Sequence, residues 1–139
     1  MRLAVLDTNV IVSAAINPDG PPAKLVMDWV LEDAVHLVTC PAIVNKYRQV
    51  MRRSKFCRYA FPPLWLDFLI EESMHLPDPQ PWPQLGPDQA DMVFLALASQ
   101  AGAWLVTGNL RHFPPGLRRE TVVLSPADYL SHLLKSANP

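Results

Sequence analysis

The chain is poor in cysteine, in charge and in long apolar runs, and each shortage narrows what it can be. Its two cysteines, Cys40 and Cys57, lack metal-ligand spacing. They read as buried thiols, and a reduced, cytoplasmic setting is the expectation. Charged residues are 18% of the 139, below the usual quarter. The formal net charge is −1, so no global field points to nucleic acid or to a membrane surface. No apolar run approaches the length of a membrane span. The N-terminus meets Asp7 too soon for a signal peptide. No internal repeat is visible. What remains is a chain that is 50% hydrophobic and of a length that suits a single domain, residues 1–139, around one core.

Proline is plentiful, at 15 residues, and it falls mostly between elements. Leu3-Ala4-Val5-Leu6 is a continuous apolar run, as expected of a strand covered on both faces. Asp7 follows abruptly, and residues 10–16 carry a helical pattern. Asn17-Pro18-Asp19-Gly20 has turn chemistry. The pattern then predicts a helix over 23–33, a strand over 35–39 and a helix from Pro41 to about 53. A short turn is expected over 56–60 and a helix over 64–73. His75-Leu76 could form a small edge strand. A proline-rich loop over 78–87 holds Trp82, which is read as a possible exposed contact for a partner. A strongly apolar helix starts at Asp88 and ends at Gly102. Strands over 103–106 and 121–124 and a last helix over 127–135 complete the chain. Alternating short strands and helices imply an α/β fold: a three-layer α/β/α sandwich on a four- or five-stranded parallel sheet.

Parallel βαβ geometry routes acids to one edge. Asp7 ends the first strand, and ligands bind beyond the carboxyl ends of such strands. The helix that feeds strand 103–106 starts at that same edge, and its first turn carries Asp88 and Asp91 on one face. Asn109 follows strand 103–106. Each residue also has a plainer reading. Asp7 or Thr8 could cap a helix, Asp88 and Asp91 could be a capping pair, and Thr107-Gly108-Asn109 could be a simple turn. Together, three carboxylates in one crevice repel unless a cation neutralises them. Oxygen ligands with no cysteine or histidine partner select Mg²⁺ or Mn²⁺, and such a centre suits phosphodiester hydrolysis.

The ordered stretches Leu6-Asp7-Thr8-Asn9-Val10-Ile11-Val12-Ser13-Ala14, Pro41 onward to Phe56, Asp88-Gln89-Ala90-Asp91-Met92-Val93-Phe94, Leu105-Val106-Thr107-Gly108-Asn109-Leu110-Arg111-His112-Phe113 and Leu124-Ser125-Pro126 carry a resemblance. Together they resemble the PIN domain, a nuclease fold, and in particular its bacterial toxin–antitoxin branch. The resemblance implies a metal-dependent ribonuclease whose first acid is Asp7 and whose central acid is Asp91. Asp88 matches a frequent companion acid, and Asn109 the family's Thr-Gly-Asp/Asn turn. Thr8, Asn9, Ser13 and Thr107 fall in the matching stretches as supporting residues. RNA as substrate, a small antitoxin as partner, and a homodimer are further implications. The low charge and four tryptophans also suggest a covered apolar surface.

One departure is plain. The family's Glu in the helix after the second strand falls here on Asn45 or Lys46, and no acid lies between Asp33 and Asp67. Lys46 could direct its ammonium at the acids, or Asn45 could offer a neutral oxygen. The loss makes a non-catalytic relative that binds RNA or protein the alternative reading. A phosphatase forming an aspartyl-phosphate would need a second acid where Asn9 stands. Arg48, Arg52, Arg53, Lys55 and Arg58 form a basic cluster that could track phosphates or simply be a solvated helix face. Arg111, His112, Arg118 and Arg119, on the loop after Asn109, are by position the expected contacts to substrate phosphates, Arg111 and His112 first among them.

Overall fold

The computed structural model describes residues 2–53 and 63–137. The turn expected over 56–60, with Lys55, Cys57 and Arg58, lies outside them. Five parallel strands form the sheet: β1 (Leu3–Leu6), β2 (His36–Thr39), β3 (Met74–His75), β4 (Trp104–Val106) and β5 (Val123–Leu124), in the order β3-β2-β1-β4-β5. Among the described residues six α-helices accompany them: α1 (Thr8–Ile16), α2 (Pro21–Lys24), α3 (Pro41–Met51), α4 (Trp65–Glu71), α5 (Met92–Ala101) and α6 (Pro126–Ala137). No helix among the described residues is long and apolar enough to cross a membrane.

The unalternating run in β1 has the expected cause. Ala4, Val5 and Leu6 are wholly buried although successive side chains point to opposite faces, so both faces of the central strand are covered. Leu105 and Val106 of β4 are buried in the same way. The register pairs Ala4 with Trp104 and Leu6 with Val106. Strand order runs outward in one direction from β1 and in the other from β4, so the topological switch point lies between them. That is where α/β sheets open a crevice.

Three local features differ from the expected pattern. The helix expected over 23–33 is α2 followed by a π-helical stretch, Leu25–Val30. Asp33 then turns the chain out in the left-handed region at φ 62°, which Asp tolerates better than most residues. The helix expected from Asp88 begins as a 3₁₀ turn, Gln89–Asp91, before α5 proper. Its end is as expected: Gly102 at φ 66° donates back to the last carbonyls. Trp82, read as a possible exposed contact, is buried. Its indole N–H donates to the Leu117 carbonyl at 3.1 Å, so an exposed role is excluded.

Candidate functional site

Asp7 is placed by β1 itself. Its backbone N–H donates to the Val106 carbonyl at 2.9 Å, which extends the β1–β4 ladder by one bond. The next residue begins α1, so the carboxylate stands at the switch point, 4% exposed. Thr107, the first residue after β4, donates its hydroxyl to Asp7 Oδ2 at 2.8 Å. Asn9 adds a longer bond from Nδ2 at 3.4 Å. The Asn9 side-chain oxygen in turn accepts from the Gly108 N–H at 2.9 Å. Glycine suits that close approach, because a Cβ at 108 would stand 3.3 Å from the same oxygen. Two loops 100 residues apart are thereby clamped on one carboxylate.

From below, Tyr47 supports the same corner. It is wholly buried on α3 and donates its hydroxyl to the carbonyl of Leu6. Burial pushes that hydroxyl far above its ordinary range, so it remains a donor.

Asp88 and Asp91 arrive from the 3₁₀ turn before α5. Asp88 does cap, since its Oδ1 accepts from the Ala90 N–H at 3.0 Å. Its other oxygen faces the Nδ1 of His112 at 3.9 Å. Asp91 makes no capping bond; its Oδ2 lies 2.6 Å from that same Nδ1. Asn109 Nδ2 stands 3.0 Å from the ring's other nitrogen, and its backbone N–H donates to Thr107 Oγ1 at 3.0 Å. A neutral imidazole protonated on Nδ1 satisfies both contacts. His112, expected among phosphate contacts, therefore stands inside the acidic cluster. One donor atom each from Asp88, Asp91 and His112 lie within 4.8 Å of one another.

The cleft these residues border encloses about 330 Å³. Asp7, Asp88, Asp91 and His112 line it together with Thr8, Asn9, Val12 and Ser13 of the α1 segment. Val50 of α3 and Arg53, two residues past the end of that helix, line it as well. Burial pushes the Asp7 carboxyl up to about 6 from 3.8. Asp91 pushes the same way, against the Thr107 hydroxyl, the Thr8 N–H and His112. Among the described residues no lysine or arginine pairs with Asp7, Asp88 or Asp91. A buried acid facing a second acid without a fixed cation is a donor set that fits a bound divalent ion.

The other expected residues are more dispersed. Asn45 is exposed and Lys46 half-buried, and neither borders the cleft. Lys46 does stand one helical turn before Val50, at i and i+4 on α3. Arg48 is committed to Asp67 at 2.7 Å, and Arg118 donates to the Phe113 carbonyl. Arg111 is exposed and outside the cleft wall. Sequence reasoning missed Tyr47 as a support and Arg53 as a lining residue.

Known proteins agree with this architecture. The sequence profile described as PIN domain matches residues 3–111. No curated protein matches the chain in sequence. Among solved structures, a chain of VapBC2 from Rickettsia felis, bound to a DNA fragment from their promoter, is similar with a TM-score of 0.61 at 11% identity. That match covers 88% of this chain and 98% of the other. FitAcB from Neisseria gonorrhoeae gives 0.56 at 18% identity, over 89% and 98%. FitAB bound to an IR36 DNA fragment gives 0.56 at 19%, over 88% and 94%.

Proposed function

Because the chain belongs to the PIN-domain family, we propose that its cleft is the active site of a metal-dependent ribonuclease, the toxin of a toxin–antitoxin pair. The observation that carries this reading is the buried Asp7 carboxylate beside Asp91, with no lysine or arginine among the described residues paired to it. A bound Mg²⁺ or Mn²⁺ supplies the neutralising charge, a Lewis acid for a phosphate oxygen and an activated water. Asp7, Asp88 and Asp91 hold it. Thr107 and Asn9 keep Asp7 oriented through the bonds they donate. Thr8 and Ser13, which line the same cleft, offer hydroxyls to the non-bridging phosphate oxygens. Arg53 and Arg111 meet flanking phosphates of the strand. Purified protein should cut mixed RNA with Mg²⁺ or Mn²⁺ and not with chelator or as Asp7→Asn. Cleavage that survives either treatment ends the reading.

A partner and a cytoplasmic setting follow by analogy with VapBC2 and FitAB, both solved on DNA, and the partner would be a small DNA-binding antitoxin. Exposed Leu64, Phe68, Leu85 and Leu134 offer apolar surface to an antitoxin or to a second copy. Sedimentation at micromolar concentration should read a homodimer; a monomer at every concentration counts against it.

The second reading, a catalytically silent RNA- or protein-binding relative, is favoured by α3, which brings Val50 to the cleft but no acid. Lys46, one turn before Val50, is one of the two positions where the family's Glu is expected. Lys46→Glu should therefore tighten Mg²⁺ binding by about tenfold, ~1.4 kcal/mol, and raise cleavage. Asn45→Glu, on the exposed side, should leave both unchanged. The reverse result, by calorimetric titration, would assign the place to Asn45. If neither substitution tightens binding, the α3 position plays no part in a metal site.

A further inference from the structure

We propose that His112 is itself a ligand in this centre, in place of the carboxylate that α3 does not supply. Its nitrogen tilts the centre toward Mn²⁺ over Mg²⁺. The inference rests on reading the cleft as a metal centre.

The basis is geometric. His112 Nδ1 stands 2.6 Å from Asp91 Oδ2 and 3.9 Å from Asp88 Oδ2. In an octahedron with ~2.1 Å bonds, adjacent donors are about 3.0 Å apart and opposite ones about 4.2 Å. The Asp88 contact falls between those two values, and the Asp91 contact needs to open by only a few tenths of an ångström.

The ring is also held from behind. Asp7, Thr107, Asn109, His112 and Asp91 form one continuous run of hydrogen bonds around the cleft. A ligating histidine has its second nitrogen fixed by an outer partner, and Asn109 stands at that nitrogen. With its amide turned to present Oδ1, Asn109 accepts from Nε2–H while Nδ1 faces the ion. Asn109 does not border the cleft, so it is a positioning residue that acts through His112. Imidazole suits transition ions, whereas Mg²⁺ prefers oxygen and gives up water reluctantly.

The opposite role is conceivable for the same contact: a histidine that plugs the site by occupying Asp91. The two roles predict opposite effects of removing the ring. Calorimetric titration with Mg²⁺ and with Mn²⁺ on the wild type, His112→Gln, Asn109→Ala and Asp91→Asn separates them. Pulsed electron paramagnetic resonance on the Mn²⁺-loaded wild type adds a readout independent of any variant's folding. The expected results are ¹⁴N coupling to bound Mn²⁺ and a Mn²⁺ affinity that falls about 10–100-fold in His112→Gln. Mg²⁺ affinity should change less than about threefold, since oxygen ligands dominate there. Asn109→Ala should lose part of the Mn²⁺ affinity alone. Bound Mn²⁺ without ¹⁴N coupling, equal losses for the two ions, or tighter binding in His112→Gln overturns the inference. If Asp91→Asn loses both ions in that case, the centre stands and only the role of His112 falls. If Asp91→Asn binds both ions like the wild type, the centre falls as well.

Discussion

Replacing Asp7 with asparagine will silence the cleft and make the metal-free protein harder to unfold. The carboxyl is 4% exposed and its pKa is raised from 3.8 to about 6, first by burial and then by Asp91. A raised acid means that the folded state keeps a proton which the unfolded chain releases. Its contribution is therefore neutral below about pH 4 and turns unfavourable as pH rises toward 6. Above that window the cost stays constant at about 3 kcal/mol for a shift near two units. Asparagine has the same shape without the charge. Urea unfolding in chelator should thus show Asp7→Asn more stable by about 1–3 kcal/mol at pH 8 and no different near pH 4. Cleavage should fall by about 10²–10³-fold, the usual loss when one preorganised charge is removed from a transition state. If the variant is less stable at pH 8, the bonds from Thr107 and Asn9 outweigh burial. Asp7 is then a structural acid and not one kept ready for a cation.

Trp82→Ala is expected to be a severely damaging truncation although the residue lies outside the sheet and the helices. The ring is buried, its N–H donates to Leu117, and the Arg119 guanidinium lies 5.4 Å from its centre. It thus fastens the proline-rich segment to the turn Pro115–Leu117. Truncation should cost about 3–5 kcal/mol, a large share of the 5–15 kcal/mol typical of a whole domain. Trp82→Phe keeps most of the volume but leaves the Leu117 carbonyl without its donor, for about 1–3 kcal/mol. Denaturant midpoints measure both. A loss under about 1 kcal/mol for Trp82→Ala would show that the segment holds without its anchor.

Some of this was legible in the residues alone. Leu3 to Leu6 reads as doubly covered because no polar residue interrupts it, and the structure places it at the centre of the sheet. Asp7 and Thr107 meet because both follow parallel neighbouring strands, a consequence of βαβ handedness. Other features leave no periodic trace. A π-helical stretch such as Leu25–Val30 has the composition of an α-helix, and only its hydrogen bonds differ. Trp82 sits among prolines and polar residues, a pattern that signals exposure; its burial depends on Leu117, 35 positions away. The position of His112 depends on one 3₁₀ turn, Leu110–His112, too short to be read from spacing. Charge counting likewise overstates the basic cluster, because Arg48 is paired with Asp67.

The place of β1 in the sheet also sets the order in which the molecule can be made. As the chain leaves the ribosome, β1 can pair with β2 once about forty residues are out. Its other edge stays open until β4 emerges, and the Thr107 bond to Asp7 closes a loop of 100 residues. Such long closures slow folding, and an unpaired central strand is prone to join other chains. A nascent chain that stops short of residue 104 thus has Asp7 without Thr107, and so no clamped carboxylate. The cleft is among the later features of the fold to exist, because it needs the chain through His112.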